Sequence, residues 1–112
     1  MPRKAMELLT ESMFYVLMAL CRAPMCGTDV AAHIERRTAG RLKLGPATLY
    51  TVLGKFEQEK YIKEIAVEGR KRTYEITQKG RNAYAAELER LRQCVADAER
   101  PAGGEEGAVC TT

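Results

Sequence analysis

Basic side chains recur at three places in this sequence, and the chemistry available to them is the binding of anions. Two lie just before Pro46, one lies nine residues after it, and three are consecutive after Gly69; they are Arg41, Lys43, Lys55, Arg70, Lys71 and Arg72. Guanidinium and ammonium groups clustered in this way neutralise the phosphates of nucleic acids. The alternative, that turns carry charge for solubility, explains single positions better than an ordered series.

The charge is also unevenly distributed along the chain. Residues 1–81 hold 15 Lys and Arg against nine Asp and Glu, a net charge of +6, whereas residues 82–112 hold three against six, a net charge of −3. A basic front and an acidic back indicate that the first part meets a polyanion and the last part has a different role.

The residue types in this sequence give little support to a metal site or a catalytic site. The chain has a single histidine, and its four cysteines form no Cys-x-x-Cys pair; they are His33 and Cys21, Cys26, Cys94 and Cys110. The usual zinc spacings, nucleophile motifs and phosphate-cradling glycine loops are therefore missing. We interpret Cys21 as a core residue and His33 as a solvated surface residue. We expect no enzyme activity, no cofactor and no metal.

Membrane insertion is not expected either. The longest apolar run, residues 13–21, has nine residues, whereas a membrane span needs about 20. The first seven residues lack the apolar core of a signal peptide. These features predict a cytoplasmic protein without a membrane partner.

The basic residues must be positioned by helices, and three helices are predicted before residue 60. Thr10 or Ser12 can cap the first helix, whose apolar run extends to Cys21 and is ended by Pro24. Because that helix is apolar on all sides, one face is expected to pack against a partner chain. The second helix is predicted from Gly27 to about Thr38, with Thr28 as its cap.

The third helix begins at Pro46, which suits a first helical turn. Its buried face is predicted from a spacing of i, i+3, i+4 and i+7 in Leu49, Val52, Leu53 and Phe56. The face left outside is small, polar and slightly basic, and it includes Thr48, Tyr50, Thr51, Gly54 and Lys55. For Tyr50, partial burial as a packing residue is an alternative to an exposed role. Gly54 either permits close approach or is merely tolerated.

Two strands and a fourth helix follow. Residues 61–67 and 72–77 are predicted strands joined by a turn at residues 68–71, a hairpin with a basic tip. Thr77 caps the fourth helix, in which apolar positions recur at steps of 4, 3, 4 and 3 in Tyr84, Leu88, Leu91, Val95 and Ala98. This is the spacing of a helix-pairing seam, although two heptads are too short to pair alone.

This order predicts a mainly α fold with a small β-hairpin, a winged helix-turn-helix followed by a C-terminal dimerisation helix. We assign residues 1–76 to the DNA-binding domain, 77–100 to the dimerisation helix and 101–112 to a disordered tail. In such a fold the third helix enters the major groove of double-stranded DNA and the hairpin touches its backbone. The predicted DNA-binding residues are Arg41, Lys43, Thr48, Tyr50, Thr51, Lys55, Arg70, Lys71 and Arg72.

The sequence resembles the PadR-like transcriptional regulators. Residues 46–57, Pro-Ala-Thr-Leu-Tyr-Thr-Val-Leu-Gly-Lys-Phe-Glu, are similar to the family's Gly-Thr-Leu-Tyr-Pro motif with its following Leu-x-x-Leu-Glu. Residues 70–80 are similar to its basic wing and Tyr-x-Leu-Thr-x-x-Gly motif, and Gly27 to Val30 correspond to Gly-Tyr-x-Ile. Departures are Thr51 for the usual Pro, Lys60-Tyr61 for Gly-Leu, and Thr28 for the aromatic.

The resemblance implies a homodimer built from the first and last helices, repression of nearby genes and release by a signal. It is closest to the short branch of the family, with a single C-terminal helix. We predict that the dimer interface includes Met13, Phe14, Leu17, Tyr84, Leu88, Leu91 and Val95. A small aromatic effector is expected, if one exists, near Phe14, Met18, Leu91 and Cys94. Two alternatives stay open. The alternative to an effector site is a packed dimer interface without a cavity, and the alternative to DNA binding is a winged-helix module that binds protein.

Overall fold

Residues 9–101 are described by a computed structural model, and they contain four helices and three strands. The helices are α1 (Glu11–Arg22), α2 (Gly27–Arg37), α3 (Pro46–Gln58) and α4 (Gln78–Glu99), and the strands are β1 (Met25–Cys26), β2 (Ile62–Glu68) and β3 (Lys71–Ile76). Three helices, a hairpin and a last helix confirm the predicted winged helix-turn-helix class. The domain boundaries stay a prediction, and the predicted tail lies outside the described residues after Pro101.

The first helix begins as predicted, with the Thr10 hydroxyl accepting a hydrogen bond from the Met13 amide at 3.2 Å. One side of α1 forms the centre of the core through Val16, Leu17, Ala19 and Leu20. Leu17 is 0% exposed within its own protomer. It is therefore a core residue, which corrects its placement in the predicted dimer interface.

The second helix begins at Gly27, and its N-cap is Cys26 without a side-chain hydrogen bond. The prediction that Thr28 caps it was wrong, because Thr28 Oγ1 lies 3.3 Å from Cys26 Sγ instead. At the other end, the buried Thr38 hydroxyl donates to the Ile34 carbonyl at 2.9 Å and accepts from the Leu42 amide at 3.0 Å. These bonds fix the connector that leads to α3.

The third helix has Gly45 as its N-cap and Pro46 in its first turn, as predicted. Its four predicted core residues are all buried: Leu49, Val52, Leu53 and Phe56. This burial fixes the rotation of α3 about its axis, and the opposite face of the helix is exposed.

The predicted hairpin is present, and a third strand joins it. The sheet order is β1-β3-β2, with Met25 opposite Tyr74 and an irregularity in β2 between Glu64 and Ala66. A two-residue strand is too short to produce a period, so the sequence did not predict β1. We call β2, β3 and the turn between them the wing. Gly69 in that turn has a φ of 63°, which glycine adopts readily.

The fourth helix is joined to the end of α3. The Thr77 hydroxyl accepts from the Gly80 amide at 3.1 Å and donates to the carbonyls of Lys60 and Tyr61. Gly80 and Glu87 are the buried residues of α4, whereas residues 92–100 are all exposed. None of the helices between residues 9 and 101 combines the length and apolar character that crossing a membrane requires.

Candidate nucleic-acid interface

The outward face of α3 carries the side chains predicted to read DNA. Thr48, Tyr50, Thr51 and Lys55 are exposed, and Tyr50 is 52% exposed. One edge of the Tyr50 ring lies against α2, since a Cβ atom added at Gly27 would be 2.9 Å from the Tyr50 hydroxyl oxygen. The ring is therefore positioned by a close approach that glycine permits, and it still presents half of its surface to solvent.

The wing and α3 border a common cleft. It has a volume of about 340 Å³ and is lined by residues from β1, α2, α3 and the wing, namely Cys26, Gly27, Thr28, Tyr50, Arg70, Lys71 and Arg72. The first turn of α2 also offers free backbone N–H groups, which favour anions. The structure thus brings the three basic residues of the wing and Tyr50 of α3 to one surface, whereas Thr48, Thr51 and Lys55 do not line this cleft.

The three basic residues of the wing differ in their surroundings. Arg70 lies in the turn and Lys71 begins β3, and both are exposed. Arg72 Nη1 lies 3.5 Å from Glu64 Oε1 across the hairpin. The pKa of Arg72 is raised, first by a hydrogen bond with the Tyr74 side chain and second by the negative charge of Glu64. Part of the charge of Arg72 is therefore balanced within the wing, whereas Arg70 and Lys71 extend beyond it.

The two basic residues before α3 lie in the connector that leads into it. Their side chains lie near residues of α1 and α2. Arg41 donates to the Tyr15 hydroxyl at 3.0 Å and to Glu11 at 3.4 Å. Lys43 Nζ lies 3.9 Å from Glu35. These pairs are exposed, and surface ion pairs are worth little. Both residues can exchange these partners for a phosphate.

A second depression lies on α3 itself. It has a volume of about 250 Å³ and is lined by Met13, Ala47, Thr48, Thr51, Val52 and Lys55. Most of its lining surface is apolar. Met13 was predicted in the dimer interface, but its side chain lies beside α3, and the interface proposed below omits it.

A basic depression that sequence reasoning missed surrounds His33. It has a volume of about 410 Å³ and is lined by Arg22, His33, Arg36 and Arg37. His33 is half-buried, and its Nε2 atom is buried without a hydrogen-bond partner. Burial, with the charges of the three arginines, lowers the pKa of His33. The interpretation of His33 as a solvated residue was wrong, because it lies at the flank of the buried stripe of Val30 and Ile34.

The aromatic residues predicted at the interface pair with each other in one chain. The rings of Phe14 and Tyr84 are stacked, with centroids 5.1 Å apart and an interplanar angle of 19°. A planar ligand that used both rings would have to part them. Met18, Leu88 and Leu91 are half-buried, whereas Cys94 is exposed and Val95 is 54% exposed.

Two further side chains are Cys21 of α1, which the sequence predicted in the core, and Glu87 of α4, whose burial the sequence did not predict. Cys21 is half-buried against the core, and burial raises the pKa of its thiol. Glu87 is buried on α4 and accepts from Arg90 through both carboxylate oxygens. Glu87 lies outside the predicted apolar seam, and a charged side chain on a helix gives no sequence signal of burial.

These features define a winged helix-turn-helix protein with a basic wing. The profile described as "Transcriptional regulator PadR-like family" matches residues 16–86. The chain therefore belongs to the PadR-like family of transcriptional regulators, as the sequence motifs predicted. Members of this family are regulators and not enzymes. A comparison with curated protein sequences gave no match.

Solved structures show the same fold. A transcriptional regulator from Clostridium thermocellum is 25% identical with a TM-score of 0.67, over 80% of this chain and 92% of that one. RosR of H. salinarum is 19% identical with a TM-score of 0.65, over 85% and 96% of the two chains. Bacillus subtilis PadR in complex with operator DNA is 18% identical with a TM-score of 0.63, over 70% of this chain and 47% of that one.

Proposed function

We propose that this protein is a repressor that binds double-stranded DNA as a homodimer, with α3 in the major groove and the wing on the flanking backbone. The observation that carries the proposal is the cleft shared by Tyr50 of α3 and Arg70–Arg72 of the wing. Because both elements border one surface, a duplex could contact them together. Bacillus subtilis PadR, which has a similar fold, was solved in complex with operator DNA, and this supports DNA binding as the function of the fold.

The exposed part of α4 supports the homodimer. Its last eight residues, 92–99, are exposed, and two isolated turns of helix have little stability of their own. Leu88, Leu91 and Val95 form an apolar stripe that leads into this segment. A second copy of α4 would cover the stripe. Phe14 of α1 and Tyr84 of α4 would belong to the same interface. Two copies of α3 would then face half-sites about 34–36 Å apart, or a multiple of that distance.

Release by a small effector is the second part of this proposal. The candidate position is the dimer interface, near Phe14, Met18, Leu91 and Cys94. A ligand there would act only by favouring one spacing of the two α3 helices over another. A thermal-shift screen with planar aromatic and phenolic compounds tests this, because stabilisation by a hit should be lost in Phe14→Ala and in Leu91→Ala. Hits that survive both changes would place the effector elsewhere.

Salt-dependent DNA binding tests the main proposal. Full-length protein is titrated onto DNA from upstream of its own gene at several salt concentrations, and each lost phosphate contact lowers the slope of log affinity against log salt by about 1. We expect this decrease for Arg70→Ala and for Lys71→Ala. A smaller decrease is expected for Arg72→Ala, because Glu64 already balances part of its charge.

Arg100→Ala is the matched control for the wing variants. Arg100 is an exposed arginine after α4, 3.4 Å from Asp97, and its loss should leave the slope unchanged. An unchanged slope in all three wing variants would contradict the assignment of the wing to the DNA backbone. Absence of binding to any duplex at low salt would favour the protein-binding alternative.

A further inference from the structure

The depression on α3 is apolar, although it lies on the face that we propose enters the groove. Ala47, Thr48 and Thr51 form one wall along the helix, and Met13 of α1 forms another. Lys55 lies at its end and is exposed. An apolar recess beside a cation fits a ligand that carries an apolar group next to negative charge.

The major groove offers such a group at one base only. Donors and acceptors line the edges of all four base pairs, and the C5 methyl of thymine is the apolar group among them. We propose that this depression receives the methyl group of a thymine in each operator half-site, and that Met13 is a specificity-determining residue. This inference rests on the proposed DNA binding.

The lining residues suit that role. The methyl groups of Thr48, Thr51 and Ala47 supply a shallow apolar surface, and the flexible thioether of Met13 adapts to the shape of a base edge. A volume of about 250 Å³ exceeds that of one methyl group, so the adjoining base edge can enter as well. Cytosine in the same place carries a hydrogen at C5 instead of the methyl group, so the apolar walls would lose that contact.

Met13 is the unexpected member of this set. It belongs to α1, which helix-turn-helix geometry places outside the groove, yet it is partly buried against the core and lines the depression together with Thr48 and Thr51. A substitution at Met13 therefore changes base preference without removing a charge or a hydrogen bond. Lys55 has the opposite role, since its ammonium attracts every DNA sequence.

Single-atom changes in the DNA test the proposal. Operators are selected with full-length protein from a random duplex library, and each thymine is then replaced by deoxyuridine, which lacks only the methyl group. At one thymine per half-site we expect about fourfold weaker binding, the factor that corresponds to about 0.8 kcal/mol for one buried methyl group. Replacement in both half-sites should weaken binding about fifteenfold, whereas thymines outside the half-sites are the matched control.

A comparison of cytosine with 5-methylcytosine at the same position isolates the methyl group from base pairing, and the methylated base should bind about fourfold more tightly. In Met13→Ala the ratio of affinities for thymine and deoxyuridine should fall toward one. In Lys55→Ala both affinities should fall and the ratio should stay.

Strong binding that no deoxyuridine replacement weakens would overturn this inference and leave the proposed function standing. Failure to select any duplex would overturn both. Because the deoxyuridine arm uses wild-type protein, it does not depend on how well the variants fold.

Discussion

Lys60 has a backbone conformation that is unfavourable for a residue with a side chain. It has a φ of 68°, in the left-handed region, between α3 and β2. The family motif that the sequence resembles has glycine at this position, and glycine adopts this region without the steric penalty that a side chain brings. The main chain has little choice, because the amide of Lys60 donates to the Glu57 carbonyl and that of Tyr61 to the Phe56 carbonyl.

Lys60→Gly should therefore raise the free energy of unfolding by about 1 kcal/mol. Urea denaturation followed by circular dichroism measures the change. Lys63→Gly is the control, because Lys63 lies in β2, where glycine weakens a strand. Equal effects at the two positions would argue against relief of strain at Lys60.

His33 is the residue at which stability should depend on pH. Its pKa in the folded protein is lowered by burial and by Arg36, Arg22 and Arg37, so folding favours the neutral imidazole. The contribution of neutral His33 to the free energy of unfolding is fully present above the ordinary histidine pKa of about 6.5. It is lost as the pH falls through the lower pKa that His33 has in the folded protein.

In His33→Gln, the loss of stability between about pH 7 and pH 5 should be smaller than in the wild type. Chemical denaturation at several pH values measures it. The chain has one histidine, so no other imidazole contributes to the difference. Parallel pH profiles for the two proteins would show that burial of His33 does not perturb its titration.

Among the elements, the first turn of α4 packs directly on the corner between α3 and β2. A Cβ atom at Gly80 would collide with the Tyr61 carbonyl oxygen and lie 2.8 Å from Ile76 Cγ1. Gly54 in α3 is the opposite case, since a Cβ atom there would have nothing within 4 Å. Both glycines are in helices, but only Gly80 is required by packing.

Gly80→Ala should lower the free energy of unfolding by about 1–3 kcal/mol, because the added methyl group overpacks the corner. Gly54→Ala should raise it by about 1 kcal/mol, because alanine has the higher helix propensity. Thermal and urea unfolding of the two variants give both signs. Stabilisation by Gly80→Ala would mean that the corner can open at little cost.

At the scale of the whole molecule, α4 extends past the core that its own chain provides. Its exposed end and the stripe of Leu88, Leu91 and Val95 leave apolar surface that one protomer does not cover. Dimerisation would give this segment its packing.

Leu91→Asp should convert a dimer to a monomer at micromolar concentration, because a buried unpaired carboxylate is costly. Operator affinity should fall with it. Gln93→Asp introduces the same charge on the opposite side of the helix and should leave the dimer intact. Sedimentation velocity measures both, circular dichroism checks folding, and a monomeric wild type would contradict the proposed assembly.

Much of this molecule follows from local sequence. The helix order, the caps at Thr10 and Thr77, the start of α3 at Pro46 and its buried face could all be predicted, because capping and periodicity depend on neighbours within a few turns. The two family motifs similarly predicted the wing and the outward face of α3, since their spacing fixes which residues share a face.

Other features depend on contacts between residues far apart in the chain. Leu17 is a core residue and Met13 lies beside α3, although the sequence placed both in the dimer interface. An all-apolar helix has no polar face to set its rotation. Only the packing of α2, α3, α4 and β3 around α1 decides which side is buried.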